Sequence, residues 1–135
     1  MKILFVCEYN ACRSQMAEGL ARTLLPDSFS IVSAGLYPGE LNQITIEVMK
    51  EIGIDISHQR SKLLAEVRDE RFDRVIVLAE PARKATSILK TDKIILWPLE
   101  DPVAIPGEEE WLKEKIRKVR DVIRGNLEKL SEEKS

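Results

Sequence analysis

Two cysteines, one histidine and an aromatic content of 5% are all that this 135-residue chain offers to chemistries that lean on those side chains. Two cysteines cannot build the disulfide framework of a small secreted protein. One histidine supports neither a multi-histidine metal centre nor, without a neighbouring nucleophile, a Ser/His/Asp triad, so His58 reads as a structural or surface residue. Long hydrophobic runs are missing as well. The first run, Ile3-Leu4-Phe5-Val6, is far shorter than a membrane span or a usual signal-peptide core, which gives a cytoplasmic reading with no membrane partner. An excess of positive charge is also missing: 21 basic against 23 acidic side chains leave a net charge of -2, so no global field draws nucleic acid. What remains, 44% hydrophobic and 33% charged residues, suits a globular chain, and the length fits one domain over residues 1–135.

The feature to explain is where the scarce thiols stand. Cys7 and Cys12 both follow directly on the first apolar run. In a reducing compartment a static bridge between them is disfavoured, whereas a reactive or reversibly oxidised pair is not.

Residues 2–6 read as a buried strand, 7–13 as a loop, and a helix capped by Ser14 carries Ala17, Leu20, Ala21, Leu24 and Leu25 up to Pro26. A second strand covers 29–34. Asn42 caps a helix with Ile44, Val48 and Ile52 that Gly53 stops, residues 54–61 connect, and a short polar helix spans 61–70. A third strand covers 73–79, Pro81 opens a helix to about residue 90, and a fourth strand covers 93–97. After the 98–107 loop, Leu112, Ile116, Val119, Ile123, Leu127 and Leu130 mark a long terminal helix whose charges are solvated. Short apolar strands alternating with helices predict an α/β fold, a three-layer α/β/α sandwich around a four-stranded parallel sheet. Loops at the carboxyl ends of such strands, 7–13, 35–41, 79–81 and 98–107, approach one another at the ligand end.

The loop Cys7-Glu8-Tyr9-Asn10-Ala11-Cys12-Arg13-Ser14 sets a cysteine ahead of an arginine at a helix start. Its backbone N–H groups and the helix N-terminus suit a tetrahedral oxyanion, and the Arg13 guanidinium is a planar clamp for two oxygens. The same field favours the Cys7 thiolate, to which Ser14 can donate, and a thiolate beneath a phosphate-sized group can attack its central atom. Asp101, held by Pro102, is the general-acid candidate from the loop after the fourth strand. Three readings of Cys12 stand: packing within the loop, a reversible disulfide with Cys7, or resolution of an intermediate. Asn10 fixes an unusual loop backbone. Tyr9 either lines the pocket mouth or is an ordinary exposed aromatic. Arg60 and Lys62 read first as solvated charges, and Trp97 and Trp111 as packing residues.

These residues, with Gln15-Met16-Ala17-Glu18-Gly19, Ser33-Ala34-Gly35, Asp55-Ile56-Ser57, Trp97-Pro98-Leu99-Glu100-Asp101-Pro102 and Val119-Arg120-Asp121, run in order along nearly the whole chain. The sequence thereby resembles the low-molecular-weight protein tyrosine phosphatase superfamily, and within it the thioredoxin-coupled arsenate reductase branch. The resemblance implies Cys7 as nucleophile, Arg13 as oxyanion clamp, Ser14 as thiolate stabiliser, Asp101 as general acid and Asn10 as loop support. It implies arsenate or a phosphate ester as substrate and no tightly bound cofactor. For an arsenate reductase it also implies an external reductant: thioredoxin, glutaredoxin or a small thiol. A noncatalytic oxyanion-binding regulator is the third reading. Two departures stand out. The further redox cysteines of thioredoxin-coupled relatives are matched here by Ala79 and Thr86, which cannot exchange disulfides, and Asp101-Pro102-Val103-Ala104 lacks the tyrosines common in tyrosine-specific relatives. Some reductase relatives also bind potassium beside the loop; Asn10, Glu18 and Ser33 match parts of that site, but Lys62 stands where an acidic partner is expected.

Overall fold

The computed structural model describes residues 1–103 and 106–134. The apolar run at the N-terminus forms β1 (Lys2–Cys7), whose Ile3, Leu4, Phe5 and Val6 are all fully buried. A strand buried on both faces belongs in the middle of a parallel sheet. The sheet bears this out: β2 (Ser30–Gly35) and β4 (Arg74–Val77) flank β1, β6 (Ile94–Leu96) follows β4, and every pairing is parallel. The expected α/β architecture with four parallel strands is therefore the observed one. A second, two-stranded parallel sheet of β3 (Arg71–Phe72) and β5 (Lys90–Thr91) was not expected.

That small sheet explains two corrections. The predicted helix over 61–70 shrinks to α3 (Leu64–Val67), because Arg71 and Phe72 are drawn into β3. The predicted helix from Pro81 to about residue 90 is replaced by two 3-10 turns, Glu80–Ala82 and Lys84–Ile88, before the chain enters β5. Thr86 contributes to the difference: its hydroxyl donates to the Arg83 carbonyl at 2.6 Å, a local bond that competes with regular helix.

The other helices follow their sequence signals. In α2 (Gln43–Lys50) the Asn42 side chain accepts the Thr45 N–H at 2.9 Å, the expected cap. Gly53, at φ 79°, takes the left-handed conformation that closes the helix while Ile54 N–H returns to the Met49 carbonyl. In α4 (Glu109–Lys134) Ile116, Ile123, Leu127 and Leu130 are buried, and the helix packs against α1 (Arg13–Leu24) and α2. Arg120 lies within this apolar stripe and donates to the Val48 carbonyl at 3.1 Å and to Glu51 at 3.2 Å, pinning α4 to the end of α2.

The sheet also fixes the reactive end. Cys7 closes β1 in register with Gly35 of β2, so the loop beyond Cys7 leaves the sheet beside the end of β2. A Cβ on Gly35 would stand 2.8 Å from Asn10 N and 2.9 Å from the Glu8 carbonyl, so only glycine lets the two backbones come this close.

Candidate active site

Between β1 and α1 the chain curls back on itself, and the turn depends on Asn10, whose φ of 54° is the one positive value outside glycine among the described residues. Asparagine tolerates this conformation because its short side chain can bond locally. Here it bonds at every polar atom. Its Nδ2 donates to Ser14 Oγ at 2.6 Å and Ser33 Oγ at 3.0 Å. Its Oδ1 accepts the Lys62 N–H at 2.8 Å and Gln15 Nε2 at 3.1 Å, while its carbonyl accepts Gln15 Nε2 and the Ser61 hydroxyl. These bonds tie the loop backbone to α1, β2 and the segment around Lys62.

Ser14 corrects a smaller expectation. It does not cap α1: the helix begins at Arg13, Cys12 occupies the cap position without a side-chain bond, and Ser14 is buried within the first turn. Its hydroxyl instead lies 2.9 Å from Cys7 Sγ, and the Asn10 N–H donates to the same sulfur at 3.3 Å. Because Asn10 Nδ2 already gives Ser14 Oγ a hydrogen, the hydroxyl's own proton is free to point at sulfur. Two polar groups thus converge on Cys7 Sγ.

Arg13 is nearly buried and rigidly held. Its Nη1 donates to the Leu99 carbonyl at 3.0 Å, and its Nη2 lies 3.4 Å from Glu8 Oε1 and 3.8 Å from Asp101 Oδ2. The loop after β6 is thus tied to the loop after β1 through one guanidinium. Glu8 adds a structural contribution as well, since its carbonyl accepts the N–H groups of Leu36 and Tyr37. Ala11 likewise accepts the Asn42 N–H. Asp101 is aimed by its own turn, with Oδ1 accepting the Val103 N–H at 3.1 Å. Ala104, the end of that stretch, lies outside the described residues.

Cys7, Tyr9, Ala11, Cys12, Arg13, Gly39, Asp101 and Val103 line one cleft of about 460 Å³. Tyr9 is half exposed at its rim and packs on Tyr37 with ring centroids 5.5 Å apart. A larger cleft, about 820 Å³, lies over the two 3-10 turns and carries Thr86 but no cysteine. Trp97 packs on Phe5 rather than bordering the Cys7 cleft, and His58 is exposed.

Cys12 lines the same cleft and is as buried as Cys7, but its surroundings differ. Both thiols are free, yet burial pushes Cys12 up to about 12, against a smaller opposing effect from Thr45. The Thr45 hydroxyl lies 3.1 Å from Cys12 Sγ and 3.0 Å from Asn42 Oδ1. Cys12 is therefore a protonated, packed thiol near neutral pH. Thr45, Gln15, Ser61 and the Leu99 carbonyl were not singled out as site residues from the sequence, although Gln15 and Leu99 lay in noticed motifs.

The sequence family described as low molecular weight phosphotyrosine protein phosphatase matches residues 2–135. The chain belongs to this family. Among its relatives in the family, arsenate reductase 2 of Staphylococcus epidermidis is 37% identical over 127 residues, covering 93% of this chain and 92% of the relative. The arsenate reductase of Bacillus subtilis is 37% identical over 131 residues, covering 96% and 94%. Solved structures agree. An arsenate reductase in its phosphate-binding state superposes with a TM-score of 0.80 at 33% identity, covering 99% of this chain and 98% of that one. A low molecular weight protein tyrosine phosphatase from T. tengcongensis gives 0.80 at 32%, covering 98% and 99%. This family member is accordingly a cysteine-dependent enzyme with arsenate reductase or phosphatase function. Among the described residues no helix is long and apolar enough to cross a membrane, and no three His, Cys, Asp or Glu side chains group as metal ligands.

Proposed function

We propose that this single-domain enzyme attacks a tetrahedral oxyanion with Cys7 and, acting on arsenate, relies on a thiol from outside the chain to complete reduction. The observation that carries this reading is the contrast between the two cysteines: Cys7 Sγ receives two hydrogen-bond donors in the cleft, while Cys12 is held protonated by burial. In the first step Arg13 and the loop N–H groups hold the oxyanion while the thiolate attacks arsenic and hydroxide leaves, taking a proton to become water. The sulfur of an external thiolate then attacks Cys7 Sγ. The sulfur–arsenic bond breaks, its electron pair stays on arsenic, and arsenite departs. A second thiol reduces the resulting mixed disulfide, so two thiols are oxidised for each arsenate reduced. Ala79 and Thr86 are buried and carry no sulfur, and Cys12 is held protonated by burial, so on this reading both thiols come from outside the chain. A cytoplasmic setting, where small thiols and thiol proteins are reduced, fits this need.

A second reading is favoured by Asp101, which faces the same cleft. With a phosphate monoester, Asp101 protonates the departing oxygen while phosphocysteine forms on Cys7, then takes a proton from the water that hydrolyses it. Both reactions share the nucleophile, the clamp and the loop.

The two are separated by measuring arsenite formation with thioredoxin, glutaredoxin and small-thiol systems beside aryl-phosphate hydrolysis under matched conditions. The expected result is arsenite formation that requires an added thiol. Efficient ester turnover with no arsenite from any of the three donors would assign the enzyme as a phosphatase. Oxyanion binding with neither activity would favour a noncatalytic regulator.

A further inference from the structure

A buried carboxylate stands behind the oxyanion loop and takes no part in the reaction just described. Glu18 is 4% exposed. Its Oε1 accepts the Ser33 hydroxyl at 2.6 Å, and its Oε2 accepts Arg22 Nη2 at 3.0 Å and Nε at 3.2 Å. A carboxylate can only accept, and this sets the sense of the bonds beyond it as far as Ser14. Ser33 spends its proton on Glu18, so its oxygen accepts from Asn10 Nδ2. Asn10 gives its other amide hydrogen to Ser14, which leaves the Ser14 proton free to be donated to a Cys7 thiolate. The sulfur thus sits at the end of a chain that Glu18 anchors.

The charge on Glu18 is met from the side by Lys62. Its ammonium lies 3.8 Å from Glu18 Oε1 and donates to the Arg60 carbonyl at 2.9 Å. Burial holds Lys62 below the ordinary lysine value, with Glu18 the first influence opposing that fall. The family resemblance implies potassium in this neighbourhood, but the residues present do not fit it. A potassium ion needs several oxygen ligands in place of its hydration shell. Asn10 offers its nitrogen toward Ser33, and its oxygen is already taken by Lys62 N–H and Gln15 Nε2. A second cation would also face the Lys62 ammonium across a partly buried space, where like charges repel strongly.

We infer that Lys62 is the loop's own resident cation. Its ammonium, fixed on the Arg60 carbonyl, completes with Arg22 the neutralisation of Glu18 and makes the Asn10 and Ser14 arrangement independent of any dissolved monovalent cation. Lys62 is a positioning residue, acting on Cys7 only through Glu18, Ser33, Asn10 and Ser14.

The test compares wild type, Lys62→Ala and Lys62→Met in potassium chloride, ammonium chloride and choline chloride at equal ionic strength. Aryl-phosphate kcat and KM and the thermal midpoint are read for each. Wild type is expected to behave alike in all three salts. Lys62→Ala is expected to lose roughly tenfold in kcat with little change in KM. Potassium or ammonium, but not choline, should restore the rate and raise the midpoint, because only small cations refill the vacated place. Lys62→Met keeps an unbranched stem and reports the loss of charge with less loss of packing. Potassium activation or stabilisation of wild type would overturn the inference. So would an unchanged kcat in both variants, or a defect in Lys62→Ala that answers to no cation. The rate arm rests on the proposed chemistry at Cys7, whereas the midpoint arm does not. Wild type without any turnover would defeat that chemistry and leave the midpoints to decide the role of Lys62.

Discussion

Cys7→Ser lowers turnover of both arsenate and an aryl phosphate by about 10⁴-fold or more, while phosphate binding is kept or improved. The two halves of this result have separate causes. Turnover needs a nucleophile ionised near neutral pH, and a serine hydroxyl in the same place, with the same donors around it, is not one. Binding needs the Arg13 guanidinium, the loop N–H groups and the start of α1, none of which the substitution removes. Any gain comes from replacing the sulfur that the proposed mechanism uses as an anion with a neutral hydroxyl that does not repel the ligand. Steady-state rates together with phosphate titration by calorimetry read the two effects in one protein. Turnover within a few-fold of wild type would remove Cys7 from the nucleophile's role.

Asp101→Asn is expected to slow hydrolysis of phosphate esters with poor leaving groups by ~10²- to 10⁴-fold, and activated aryl phosphates far less. The carboxyl is aimed by the Val103 N–H and lies 3.8 Å from Arg13, so asparagine can keep the turn while losing the acidic proton. A leaving group that is already a stable anion has little need of that proton, which is why the loss must grow with leaving-group basicity. A plot of log kcat/KM against leaving-group pKa should therefore steepen in the variant. Parallel lines for variant and wild type would assign Asp101 to structure rather than proton transfer.

The sheet and the reactive loop were legible in the sequence because both are written locally. Ile3-Leu4-Phe5-Val6, short, β-branched and continuous, reads as a doubly buried strand in an α/β pattern, and Cys7 through Ser14 follows it directly. Asn42 and Gly53 announced the ends of α2 by side-chain and backbone chemistry that needs no partner elsewhere. Elements decided by distant contacts were not legible. The β3 and β5 pairing joins residues 71–72 to 90–91, and it is this tertiary pairing that truncates α3 and accompanies the 3-10 turns around Thr86. The same division holds in the site. Arg13 and Ser14 lie within seven residues of Cys7 along the loop, whereas the Leu99 carbonyl that anchors Arg13 and the Thr45 hydroxyl beside Cys12 come from other elements. Lys62 looked like a solvated charge because nothing in its local sequence shows that Glu18 lies beside it.

The difference between Cys7 and Cys12 also gives the account its most direct test. The reduced enzyme, freed of every added thiol, is mixed with excess arsenate, and arsenite and protein thiols are then counted. With Cys12 held protonated up to about 12, and with no sulfur at Ala79 or Thr86, no arsenite should form and no disulfide should appear until a thiol is added. Release of one arsenite per chain with formation of a Cys7–Cys12 disulfide, before any thiol is supplied, would contradict the account.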